Sequence, residues 1–74
     1  MIIRLSDSKV SQNAPFSYQI GTRVQWTSNP SLLGTVIEGI CEGLLDAGAY
    51  SITYQVRNDD GTTSMAKVGE IKRI

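Results

Sequence analysis

The sequence contains no histidine, and that one absence removes the commonest acid–base side chain and the commonest metal ligand. No Ser-His-Asp, Cys-His or HExxH grouping can be assembled from it. A single cysteine, Cys41, excludes an intrachain disulfide and any thiolate-rich zinc site. Low cysteine usage fits a reducing, cytoplasmic setting. An excess of either charge is also missing. Seven Lys and Arg balance seven Asp and Glu, for a formal net charge of +0. A dedicated nucleic-acid binder carries a basic excess that displaces counterions from phosphate, so this balance speaks against nucleic acid as a partner. Seven glycines occur without a GxGxxG or GxxxxGK(S/T) spacing, which leaves a phosphate cradle unsupported. Apolar runs are only a few residues long, too short to span a membrane. The N-terminal stretch lacks the apolar core and cleavage region of a secretory signal.

What is present suits one small domain. At 74 residues there is no room for a second core, and hydrophobic content of 41% is enough for a globular chain. A lone core of this size supplies only about 3–5 kcal/mol without staples. With disulfides and histidine-based metal sites excluded, self-association is the remaining source of stability. The expectation is therefore a homo-oligomer, dimer or tetramer.

The most regular stretch runs from Tyr50 to Ala66. Ile52, Tyr54 and Val56 alternate with Ser51, Thr53, Gln55 and Arg57, the period of two expected of a strand with one dry face. Asn58-Asp59-Asp60-Gly61 then reverses the chain as a type I turn closed by a left-handed glycine, or as a tighter Asp60-Gly61 turn. The expected pairing puts Met65 on the dry face with Tyr54 and Val56, and turns Ser64 and Ala66 outward.

Earlier in the chain, residues 1–20 read as a flexible N-terminal arm. Met1 to Leu5 is apolar enough for a short strand or a segment packed on a partner, Ser6 to Ser17 is a polar lead-in, and Phe16, Tyr18 and Ile20 begin an alternation that could lay an arm across the domain or its neighbour. Val24 and Trp26 share one face of a strand, with Arg23, Gln25 and Thr27 on the other. Ser28-Asn29-Pro30-Ser31 is a turn. Leu33 to Cys41 forms the next strand, where Gly34 and Gly39 suggest a bulge or a bend. Gly43 and Gly48 fence off Leu44-Leu45-Asp46-Ala47, a helical turn or wide loop whose leucines either fold back over the core or stand out at a subunit interface. Val68 to Ile71 is short enough for a 3₁₀ turn, after which Lys72-Arg73-Ile74 adds a last strand.

Five short strands, a 3₁₀ turn before the last and glycines at the bends describe an all-β fold, a small SH3-like barrel over residues 21–74. Gly21-Thr22-Arg23-Val24, Gly34-Thr35-Val36, Tyr54-Gln55-Val56 and Gly61 resemble the skeleton shared by such barrels, Tudor and KOW modules among them. Residues 16–74 resemble more closely the plasmid-encoded type B dihydrofolate reductases. The likeness lies in an aromatic before Ile20-Gly21, the Arg23-Val24 pair and the ending Val68 to Ile74. That resemblance implies a homotetramer around a pore for folate and NADPH. The family's pore run, Val-Gln-Ile-Tyr, falls on Thr63-Ser64-Met65-Ala66, where none of the four matches. The resemblance thus extends to fold and oligomeric habit, while the missing pore run speaks against the reductase chemistry.

The expected function is binding rather than catalysis: an oligomeric interaction or assembly module without a cofactor. Its surface would comprise the outward Thr53, Gln55, Ser64 and Ala66, with Tyr50, Leu44 and Leu45. A diverged pore for a flat ligand such as NADPH or folate is one alternative, and a KOW- or Tudor-like reader of nucleic acid or peptide is another. Tyr50, Tyr18 and Phe16 are the aromatics left for a partner once Trp26 and Tyr54 are assigned to the core. Asp59-Asp60 reads as a solvated turn pair and Cys41 as a small buried hydrophobe.

Overall fold

The computed structural model describes residues 2–7 and 15–74. Six strands and one 3₁₀ turn follow one another as β1 (Ile2–Arg4), β2 (Arg23–Trp26), β3 (Leu33–Leu44), β4 (Ala49–Asn58), β5 (Thr63–Ala66), the turn Val68–Glu70, and β6 (Ile71–Arg73). They form one antiparallel sheet in the order β5-β4-β3-β2-β6, and β1 lies beside the far half of β3. β2 through β5 are a meander. The last strand returns to pair with β2, at the opposite edge of the sheet from β5. Five strands were expected; the sixth is Ile2–Arg4, whose Ile3 opposite Cys41 is buried. Ile2–Arg4 thus belongs to the sheet rather than to a loose arm, and part of the expected lead-in lies outside the described residues.

The core follows from the alternation. Val24, Val36, Tyr54, Val56, Ala66 and Ile71 are buried together with Leu5, while Phe16, Tyr18, Trp26 and Ile52 pack against them. Tyr54 is fully buried, and its phenol oxygen accepts from the Ser17 N–H at 2.7 Å. Phe16 and Tyr18 meet its ring edge-on at 6.2 and 5.3 Å. These two aromatics are therefore lids on the core, not the free contact residues expected from sequence. The Tyr18 hydroxyl donates to the Ile71 carbonyl, and the Arg73 guanidinium lies 5.8 Å over its ring.

Two local features shape β3. Its pairing with β4 slips by one residue between Val36 and Glu38, so the bulged residue is Ile37 and not either glycine. Gly34 and Gly39 serve close approach instead. A Cβ at Gly39 would lie 2.6 Å from Leu5 Cδ1 and 3.0 Å from Phe16 Cε1, so only a glycine lets the N-terminal segments rest on the sheet.

Where β4 meets β5, Asp59, Asp60 and Gly61 form the loop. The Gly61 N–H donates to the Asn58 carbonyl, and Gly61 has φ of 93°. An odd number of loop residues pairs even with even: Tyr54 faces Ala66, Val56 faces Ser64 and Gln55 faces Met65. The expected sidedness is thereby reversed. Ala66 is core, and Met65 is half exposed on the outer face.

Asn58 continues the inward alternation of Tyr54 and Val56 and is the buried polar residue of the core. Its Oδ1 accepts from Trp26 Nε1 at 2.7 Å, and its Nδ2 donates to Thr62 Oγ1 and Ser64 Oγ, both at 3.1 Å. No buried side-chain donor or acceptor among the described residues is left without a partner.

Candidate functional site

β3 and β4 run past the core as a long hairpin in which Leu44 pairs with Ala49. On its inner face Ile52 is half-buried and Tyr50 is 42% exposed. Below them the chain leaves β5 at Lys67, whose ammonium donates to Thr53 Oγ1 at 2.8 Å, and turns away through Val68. Pro15 and Ser17 cross on the other side, held by the Tyr54 phenol. A groove of about 390 Å³ remains between these segments, lined by Pro15, Ser17, Tyr50, Ile52, Lys67 and Val68 among others. Its walls are largely apolar, with one cation at the rim.

The backbone of this stretch carries chemistry of its own. Gly39 and Val36 of β3 turn main-chain groups away from β4, to Leu5 and to Gly21 and Thr22. Their β4 partners Tyr54 and Val56 accordingly turn theirs toward β5, as Asn58 does in donating to the Thr62 carbonyl. Tyr50 and Ile52 are next in that series. Their N–H and C=O groups point to the same side, where no strand among the described residues pairs with them.

The seven expected site residues do not form one surface. Tyr50 lines the groove. Thr53 and Gln55 lie on the outer face, Thr53 bonded to Lys67 and Gln55 opposite Met65. Ser64 faces inward onto Asn58, and Ala66 is 1% exposed beside Tyr54. Leu44, 59% exposed, stands on the outer face of the hairpin and does not fold over the core, while Leu45 is half-buried in the turn. Ile52, Lys67, Val68 and Pro15 join Tyr50 at the groove, where sequence reading did not place them. Val68 and Lys67 could have been found from the 3₁₀ turn, which carries the chain past the end of β4 that β5 does not pair.

Reactive chemistry is sparse. Cys41 is buried, and burial pushes its thiol up from the ordinary value. The Arg23 guanidinium bonds both Asp59 oxygens, at 2.8 and 2.7 Å, and holds that carboxyl below its usual value. Asp60 is lowered by the Thr62 hydroxyl and N–H, so these two acids are turn-forming groups already in use. Burial raises Glu38, but the Ser6 hydroxyl and the N–H groups of Gly39 and Ser6, aided by Arg4, bring it below the ordinary carboxyl range. No three His, Cys, Asp or Glu among the described residues cluster to hold a metal, and no helix among them is long and apolar enough to cross a membrane.

No protein-family model, curated protein or solved structure matches this chain.

Proposed function

We propose that the chain is a non-catalytic interaction and assembly module, an SH3-like barrel that works in the cytoplasm as a homo-oligomer. The observation that carries this reading is the groove beside Tyr50, Ile52 and Val68, a largely apolar recess with Lys67 at its rim, bordered by β4 backbone that no strand among the described residues pairs. The barrel is supported by the strand order: a meander whose final strand, after a 3₁₀ turn, returns beside its first. Self-association is supported by size and by large apolar side chains left in water, among them Tyr50, Leu44, Met65 and Val68.

Multi-angle light scattering on purified protein over the micromolar range tests this reading. An oligomeric mass is expected, and its dissociation on replacing groove residues would tie assembly to this face. A strict monomer throughout would overturn the oligomeric module.

A further inference from the structure

We propose that the partner in the groove is a second copy of the chain, joined through the edge of β4 that no strand among the described residues pairs, in an antiparallel pair centred on Tyr50. This rests on the assembly reading and specifies its surface.

Sheet edges in stable monomers are blunted by charge, proline, bulges or cover. Gly48 to Ile52 carries no charge and no proline, and the β3–β4 register shift lies elsewhere, at Ile37. Its main-chain groups at Tyr50 and Ile52 are aimed sideways into the apolar groove, so a strand laid there gains hydrogen bonds and covers Tyr50 and Ile52 together. A two-fold axis makes the same residues both donor and acceptor, as an isologous interface requires.

Sterics choose the register. Lys67 lies beside Thr53, bonded through its ammonium, and fills the place opposite that residue. A two-fold through Ser51 would send the partner's Ala49 into that place. A two-fold through Tyr50 sets Tyr50 against Tyr50, Ala49 against Ser51 and Gly48 against Ile52, and the partner's turn swings clear before reaching Lys67. Charge then agrees with shape. Each exposed turn, with Asp46 at its tip, arrives next to the Lys67 ammonium of the other copy.

The pairing makes a test that reads register as well as mass. Ala49 and Ser51 form a pair whose own main-chain groups face β3, and such a cross-strand pair brings Cα atoms to about 4.5 Å, within disulfide range. Ala49→Cys and Ser51→Cys proteins mixed and oxidised should give a mixed disulfide dimer, while each alone should give little; buried Cys41 stays out of the exchange. Ile52→Pro, which removes an N–H aimed at the partner and none from the β3 ladder, should lower the scattering mass to that of a monomer with the β-sheet circular dichroism intact. Cross-linking of Ser51→Cys with itself would overturn the register. An oligomer that neither cross-links nor responds to Ile52→Pro would overturn the edge while leaving assembly by another face standing. A wild-type monomer would overturn both.

Discussion

Replacing Asn58 by alanine removes the polar hub under the β4–β5 turn, and its cost can be estimated from the contacts. Three hydrogen bonds disappear, to the Trp26 indole and the Thr62 and Ser64 hydroxyls. Each is worth roughly 0.5–1.5 kcal/mol net, and a donor stranded away from water costs about 1–3 kcal/mol. The two hydroxyl oxygens lose a donor that water can replace, whereas the half-buried indole N–H has a fixed direction and loses its acceptor outright. The expected loss is about 2–3 kcal/mol, a large share of the roughly 3–5 kcal/mol that a core of this size supplies. Urea unfolding followed by far-ultraviolet circular dichroism, at one fixed protein concentration so that self-association does not shift the midpoint, measures it. Trp26→Phe closes a double-mutant cycle. With both partners gone no donor is stranded, so the double variant should be about 1 kcal/mol more stable than the two single losses combined. A loss under about 0.5 kcal/mol for Asn58→Ala, or strict additivity, would refute the hub.

Gly39→Ala drives a methyl into Leu5 and Phe16 and should cost about 1–3 kcal/mol by overpacking. Leu5→Ala in the same chain should recover part of that loss, and two independent losses in urea unfolding would refute the close approach. Acid should loosen the fold. Glu38, Asp59 and Asp60 all have pKa values lowered on folding. Their contribution is therefore complete above the unfolded carboxyl value near 4 and is lost as pH falls through the lower folded values. Urea midpoints should decline below about pH 4, and Glu38→Gln should shallow that decline. A midpoint that rises on acidification would contradict the sign.

The parts of the fold that alternate were legible in the sequence. The dry faces of β2 and β4, the 3₁₀ turn and the left-handed Gly61 all follow from local chemistry. What misled was parity. A two-residue and a three-residue loop use nearly the same letters, Asn58 to Gly61, yet they put opposite faces of β5 on the core, so the expectation that Met65 faces inward whichever turn forms does not hold. Asn58 was hidden by the same letters, because asparagine before Asp-Asp-Gly reads as turn chemistry. One further step of the Tyr54-Val56 alternation would have put it inside. The bulge at Ile37 has no residue signature, since a bulge is a property of the pair and not of one strand. The groove was illegible for a similar reason. It exists where β4 outruns β5, a difference in length that appears only once the strands are paired.

The proposed pairing of the chain with itself along β4 stands or falls with the mixed oxidation of Ala49→Cys and Ser51→Cys. Rapid formation of the mixed disulfide dimer, with neither variant cross-linking alone, is the predicted result. Equal and slow cross-linking in all three samples, as random collision gives, would contradict it.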